Sequence, residues 1–144
     1  MKNSLKILLC MLFVLLTACS SKPEYYLYVY YAKTCPICKS FQENVIPVLE
    51  DKYGKSMEII QYDIDEESSI DAYAKTCSLL EDYYVDENSG NVPFIVLDGY
   101  FAKVGYDVSQ QDDMIQAIDD AIEGKEISTD LSDVYYFQEG KTFH

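Results

Sequence analysis

Residues 25–31 read Tyr-Tyr-Leu-Tyr-Val-Tyr-Tyr, and residues 35–38 read Cys-Pro-Ile-Cys after a three-residue connection. The first stretch is rich in aromatic and β-branched residues, which are typical of a β-strand. Pro36 suits the first turn of a helix, and Thr34 is expected to cap that helix. The sequence thus predicts a strand that leads directly into a helix opening on two cysteines.

Cys35 and Cys38 carry the chemistry that this stretch predicts. Spaced at i and i+3, they lie on one face of the helix, close enough to form a disulfide. The helix N-terminus stabilises a thiolate on Cys35, and a thiolate beside a second thiol is sufficient for thiol–disulfide exchange, so we expect no cofactor and no metal. A purely structural disulfide is the alternative, although so short a loop contributes little to stability.

The segment after the cysteines continues as a helix and then becomes a second strand. Apolar residues recur at helical spacing up to about residue 53, with a kink expected at Pro47, and residues 57–64 have the pattern of a strand. A strand, a helix and a strand in that order imply a parallel pair of strands. The residues expected on the inward face of this helix are Phe41, Val45, Val48 and Leu49.

A second helix is expected from Ser68 or Ser69, either of which can cap it, to about residue 84. Residues 86–91 are predicted to be a loop. The side chains expected on the inward stripe of this helix are Ile70, Tyr73, Ala74, Cys77 and Leu80.

The last predicted elements are a hairpin and a third helix. In order, they are a strand over residues 94–97, a turn at Asp98-Gly99, a strand over residues 100–104 and a helix over residues 110–123 that Gly124 ends. The tail, residues 125–144, has two possible arrangements. Residues 134–137 either pack as an extra strand or remain loose.

Residues 1–18 have the pattern of a signal peptide, with lysines followed by an apolar stretch too short for a comfortable membrane span. Leu-Thr-Ala-Cys at residues 16–19 resembles the lipobox of bacterial lipoproteins, in which the cysteine is lipid-modified. The resemblance implies lipidation of Cys19 and a tether over residues 19–24. We therefore expect the domain at a cell membrane, lipid-anchored on the extracytoplasmic face, where disulfides persist.

The composition excludes several classes of function. The net charge of −14 argues against nucleic acid as a partner. The chain has no arginine to form a bidentate clamp for phosphate or carboxylate, and its one histidine is His144 at the C-terminus. General-base catalysis by histidine and histidine-rich metal sites are therefore not expected.

The order strand, Cys-x-x-Cys, helix, strand, helix, Val-Pro, hairpin, helix resembles the thioredoxin superfamily over residues 25–124. The resemblance implies an α/β thioredoxin fold, with a central mixed sheet of about four strands and flanking helices. The length of the segment before the Val-Pro predicts an extended helical insert there. The stretches that carry it are Cys-Pro-Ile-Cys-Lys at 35–39, Pro-Val-Leu-Glu at 47–50, Gln-Tyr-Asp-Ile-Asp at 61–65, Val-Pro at 92–93 and Lys-Val-Gly at 103–105.

The resemblance also implies roles for individual residues. Pro93 is expected to be cis and to face the active site, and the backbone of Val92 is expected to pair with an extended substrate peptide. Pro36 and Ile37 are expected to contact the substrate between the cysteines. The chain departs from the family in two respects. Thioredoxins carry a buried acid six residues before the first cysteine, and Val29 occupies that position. The segment between Asp65 and Val92 is longer than in a minimal thioredoxin and could reshape the rim of the active site.

These observations predict a membrane-tethered thiol–disulfide oxidoreductase, with Cys35 as nucleophile and Cys38 as resolving thiol. Its expected partners are thiols or disulfides of exported proteins or peptides and a redox partner protein that resets the pair. The Pro-Ile dipeptide resembles that of glutaredoxins and DsbA-type oxidases, which favours an oxidase or isomerase over a reductase. The alternatives are a lipoprotein that binds a soft metal through Cys35 and Cys38, and a non-catalytic surface scaffold.

Cys77 lies on the apolar stripe of the second helix and has two interpretations. A buried small hydrophobic residue is the first. A third redox or regulatory thiol is the second.

Overall fold

The computed structural model describes residues 22–85, 90–127 and 130–144. The predicted signal peptide, Cys19 and residues 86–89 of the predicted loop lie outside the described residues. The elements in chain order are β1 (Tyr25–Tyr31), α1 (Pro36–Asn44), α2 (Ile46–Tyr53), β2 (Met57–Asp63), α3 (Glu67–Ser78), β3 (Phe94–Leu97), β4 (Phe101–Val104), α4 (Gln111–Ile122) and β5 (Val134–Tyr136).

The described strands form one mixed sheet in the order β2-β1-β3-β4-β5. β1 and β2 are parallel along their full length, which confirms the strand–helix–strand prediction. β3 runs antiparallel to β1 and forms the predicted hairpin with β4, and β5 adds antiparallel to β4. The carboxyl end of β1, the start of β3 and the end of β4 therefore meet at one edge of the sheet.

Each face of the sheet carries its own core. We call the side covered by α1, α2 and α4 the front face and the side covered by α3 the back face. Buried apolar strand residues of the front face are Leu27, Val29, Met57, Ile95, Leu97 and Phe101. Those of the back face are Tyr28, Tyr30, Phe94, Val96, Ala102 and Val104. Because successive residues of a strand point to opposite sides, the continuous apolar runs of β1 and β3 supply both cores.

The sheet has a fifth strand where the resemblance predicted about four. Val134–Tyr136 pairs with β4, so the tail packs as an extra strand rather than remaining loose. The same strand ends α3 early, at Ser78 instead of near residue 84. Leu80 bridges to Phe137, and the backbone N–H of Glu81 donates to the Tyr136 carbonyl at 2.9 Å. A pairing between segments more than fifty residues apart thus replaces the last helical turn.

Three details of the predicted helices are wrong. Glu66, rather than Ser68 or Ser69, is the residue before α3, and Ile70 and Ala74 are exposed rather than buried. Thr76 is buried beside Cys77, which faces inward as predicted. The buried Thr76 hydroxyl is satisfied because it lies 2.7 Å from the hydroxyl oxygen of Tyr30.

The predicted kink at Pro47 is a complete break. α1 ends at Asn44 and α2 begins at Ile46, which places the proline in the first turn of α2, where its missing N–H costs nothing. Val48 consequently turns outward, whereas Phe41, Val45 and Leu49 are buried as predicted.

The strand order, the parallel β1–β2 pair, the β3–β4 hairpin and helices on both faces make this a thioredoxin-like α/β fold, as expected from the sequence.

Candidate functional site: the Cys35–Cys38 pair

Cys35 caps helix α1 with its own sulfur. Its backbone is extended, and its Sγ accepts a hydrogen bond from the backbone N–H of Cys38 at 3.1 Å. The prediction that Thr34 caps this helix is therefore wrong. The cysteine stands at the N-cap position, so the free N–H groups of the first turn point toward the sulfur.

The two cysteines form a disulfide and differ in access to solvent. Cys38 is 1 % exposed, whereas Cys35 is partly exposed at the surface. Pro36 and Ile37 between them are exposed, with 47 % of Ile37 accessible. A partner sulfur can therefore reach Cys35, while Cys38 is reached only from within the protein.

Val92 and Pro93 lie beside this pair, although they are more than fifty residues away in sequence. The Val92–Pro93 peptide bond is cis, as the resemblance implies. The carbonyl oxygen of Val92 lies 3.8 Å from the Sγ of Cys35. Pro93 is buried, and its carbonyl accepts a hydrogen bond from the N–H of Gly105 at 2.8 Å. The start of β3 and the end of β4 thus hold the Val92 backbone beside the Cys35 sulfur.

A cavity of about 200 Å³ is lined in part by Val92, the residue whose carbonyl lies near Cys35. Its walls include Val92 from the segment before β3 and Ile64, Ile70 and Tyr73 from the opposite side. Since Val92 also contacts Cys35, the cavity and the disulfide share one wall. The exposure of Ile70, which contradicts the predicted helix stripe, follows from its place on this rim.

An ion pair supports the loop between β1 and α1. The ammonium of Lys33 lies 2.6 Å from the carboxylate of Asp63 at the end of β2. Asp63 also accepts a hydrogen bond from the N–H of Asp65. The hydrogen bond from Lys33 lowers the pKa of Asp63, and the same contact raises the pKa of Lys33. These residues were not predicted, although opposite charges at the carboxyl ends of two parallel strands were a usable signal.

Val29 is fully buried on the front face, so the position at which thioredoxins carry an acid holds an apolar side chain.

Cys77 is remote from the pair. It is a buried free thiol in the back-face core, whereas α1 lies on the front face. Burial raises its pKa to about 11. The structure therefore favours the first interpretation, a small buried hydrophobic residue.

Two structural absences concern the described residues, 22–85, 90–127 and 130–144. That part of the chain contains no group of three or more His, Cys, Asp or Glu residues placed to hold a metal ion. None of its helices has the length and apolarity required to span a bilayer.

No protein-family model matches this chain, and no curated protein sequence matches it. Among solved structures, the oxidized form of mitochondrial thioredoxin 3 from Saccharomyces cerevisiae is similar, with 18 % sequence identity and a TM-score of 0.42. The match covers 72 % of this chain and 87 % of the yeast protein. The strand order and the placement of the helices define the thioredoxin-like fold without that comparison. This fold, with a Cys-x-x-Cys pair at a helix N-terminus, indicates thiol–disulfide redox chemistry.

Proposed function

We propose that this protein is a membrane-tethered thiol–disulfide oxidoreductase that acts on cysteines of exported proteins or peptides. The observation that carries the proposal is the arrangement of the pair: Cys35 is accessible and accepts an N–H from the first turn of α1, while Cys38 is buried one turn further in. An accessible sulfur that leaves readily as a thiolate, backed by a buried resolving thiol, is what exchange requires.

In the oxidising direction, a substrate thiolate attacks the Sγ of Cys35. A substrate–Cys35 bond forms, the Cys35–Cys38 bond breaks, and Cys38 leaves as a thiolate that takes a proton. A second substrate thiolate then attacks the substrate sulfur, which closes the substrate disulfide and releases Cys35. Two electrons pass from the substrate to the pair, and an oxidising redox partner protein removes them to restore the disulfide.

We favour this direction, oxidase or isomerase, over reductase. Support comes from the hydrogen bond to the Cys35 sulfur and the helix N-terminus, because both stabilise the thiolate and hence the reduced form. A pair whose reduced form is stabilised is the stronger oxidant. A reduction potential of about −120 to −180 mV would agree with this direction, and one of about −270 mV would contradict it.

The substrate is proposed to bind as an extended chain along Val92 and Pro93. Support comes from the Val92 carbonyl, which lies 3.8 Å from the reactive sulfur and is thus available to pair with the substrate backbone beside the reacting cysteine. Pro36 and Ile37 form the exposed surface on the other side of the sulfur. Contacts made mainly through the backbone suit an enzyme that accepts many sequences.

The membrane anchor is proposed to be a lipid on Cys19. Residue 24 is hydrogen-bonded to the carbonyl of Ser56, next to the start of β2, and β1 then runs about 20 Å to the edge that carries the cysteines. An anchor at that end would direct Cys35 away from the bilayer. Replacing Cys19 by serine should release the protein from the membrane fraction without changing its reduction potential; full membrane retention would contradict the anchor.

The test of catalysis uses full-length protein and a fluorescent peptide that carries two cysteines. Wild-type protein with oxidised glutathione should oxidise the peptide, and Cys35→Ser should abolish this activity. Reduced Cys38→Ser, incubated with the disulfide form of the peptide, should accumulate a covalent adduct on Cys35 because no second thiol resolves it.

Cys77→Ser is the matched control and should behave as wild type, since this thiol lies in the opposite core. Full activity of Cys35→Ser would overturn the proposal and favour a non-catalytic scaffold.

A further inference from the structure

Lys103 is a buried lysine in an otherwise apolar strand. It is the third residue of β4, Phe-Ala-Lys-Val, and only 4 % of it is exposed. Lysine is almost never fully buried unless it is paired. Among the described residues no carboxylate forms an ion pair with it; its Nζ donates a hydrogen bond to the carbonyl of Val104 at 2.8 Å. A buried cation without a direct counter-ion is costly, so its position calls for an explanation.

The register of the sheet places Lys103 on the front face, which α1, α2 and α4 cover. Lys103 pairs with Ile95, and Ile95 pairs with Val29, so these three residues form one row across β4, β3 and β1. Val29 and Ile95 belong to the front-face core together with Phe41 of α1. Two of the three residues of this row, Val29 and Ile95, thus lie in the core against which α1 packs.

The ammonium of Lys103 lies at the active-site edge of this row. Its acceptor, the Val104 carbonyl, belongs to the last residue of β4. Gly105, the residue after Val104, donates its backbone N–H to the carbonyl of Pro93 at 2.8 Å. The carbonyl of Val92, the residue before Pro93, lies 3.8 Å from the Cys35 sulfur. In the sheet, β4 lies two strand spacings, roughly 10 Å, from β1, the strand that leads into Cys35.

Few charged groups compete for this ammonium. Its row neighbours on β1 and β3 are apolar. Asp133, the residue before β5, accepts a hydrogen bond from the Val104 N–H through its backbone carbonyl. Burial lowers the pKa of Lys103, and the carboxylate of Asp133 raises it by less. After β4 stands the buried phenol of Tyr106, packed on Phe41 of α1. On α4 the buried carboxylate of Asp120 accepts a hydrogen bond from its own helix.

We propose that the buried Lys103 ammonium stabilises, through its electric field, the thiolate that forms when the Cys35–Cys38 disulfide is reduced, and so makes the pair a stronger oxidant. The inference rests on the proposed function. It assigns a cation to one end of the front-face row of Lys103, Ile95 and Val29. At the other end of the row is Val29, the position at which thioredoxins carry a buried acid. Opposite charges about 10 Å apart in a protein interior of effective dielectric constant about 20 change an equilibrium on the order of tenfold.

The test replaces Lys103 by methionine in the full-length protein, which removes the charge and keeps the length of the side chain. The equilibrium constant with glutathione should shift on the order of tenfold toward the disulfide form. The pH titration of the Cys35 thiolate, followed by absorbance at 240 nm, should move to higher pH. Lys103→Arg keeps the charge and should retain wild-type values.

Lys39→Met is the matched control, because it removes a cation next to Cys38 in sequence whose side chain is 72 % exposed. Solvent screens that charge, so the equilibrium constant should change less than twofold. A folded Lys103→Met variant with the wild-type equilibrium constant and thiolate titration would overturn the inference. A wild-type protein that exchanges no disulfide in the same assay would instead overturn the proposed function.

A second measurement needs no variant and covers the case in which Lys103→Met does not fold. The Lys103 Cε resonance of the wild-type protein is titrated by NMR in the oxidised and reduced states. If the ammonium and the thiolate stabilise one another, the lysine must titrate at higher pH in the reduced protein. Identical titration in the two states would overturn the inference.

Discussion

At the scale of the residue, burial separates the three cysteines of the described chain. Cys35 is partly exposed at a helix N-terminus, Cys38 is buried on the same helix, and Cys77 is buried in the opposite core with a pKa raised to about 11. The thiolate is the reactive form of cysteine, so Cys77 is almost entirely protonated and inert at pH 7.

We therefore predict an order of alkylation in the reduced native protein. Iodoacetamide at pH 7 should modify Cys35 first and Cys77 at least about a hundredfold more slowly, because both burial and the raised pKa oppose its reaction. Mass mapping of peptides after timed quenching measures each rate. In guanidinium the rates should converge, and comparable rates in the native protein would contradict the assignment of Cys77 to the core.

At the scale of the element, the ion pair between Lys33 and Asp63 joins the β1–α1 loop to the end of β2. The pKa of Asp63 is lowered in the folded protein, chiefly by Lys33. An acid whose pKa is lower in the folded state stabilises the fold fully at a pH above its unfolded-state pKa, which is near 4. That stabilisation is lost as the pH falls through the folded-state pKa.

Asp63→Asn should accordingly lower the melting temperature at pH 7. The difference in melting temperature between the variant and the wild type should shrink as the pH falls below about 4. Thermal unfolding followed by circular dichroism at both pH values checks this. Lys33→Met should remove much of the same stabilisation, and the double variant should lose little more than either single one. A deficit of Asp63→Asn that stays constant down to pH 2 would exclude the ion pair as its cause.

At the scale of the whole molecule, residues 143 and 144 pack against the end of the sheet that is remote from the cysteines. The carboxylate of Asp98, just after β3, accepts the backbone N–H groups of Phe143 and His144 at 2.6 and 2.9 Å. The ring of Phe143 packs on Tyr28, and that of His144 stacks on Tyr26. β3 begins at the edge of the sheet that carries Cys35 and ends at Leu97, just before Asp98. The contacts of Asp98 with the tail are therefore separated from the cysteine pair by the length of β3.

Asp98→Ala should therefore destabilise the protein by about 1–3 kcal/mol, the cost of losing hydrogen bonds to a charged group, and leave the reduction potential unchanged. Denaturant unfolding and equilibration with glutathione measure the two quantities on one sample. Glu139→Gln, which removes an exposed charge from the same tail, should change neither. A large shift in potential for Asp98→Ala would mean that the two ends of the sheet are coupled.

The sequence alone predicts the strand that leads into Cys35, the parallel β1–β2 pair, the β3–β4 hairpin and the placement of Cys35 and Cys38 at the start of a helix. Each follows from local pattern, because residue type, period and turn chemistry act over a few positions. Three features could not be predicted in this way: α3 stops at Ser78, the tail becomes β5, and Lys103 is buried on the front face of the sheet. Those outcomes depend on contacts between segments far apart in the chain, whose free energies outweigh local preference and leave no periodic trace in the sequence.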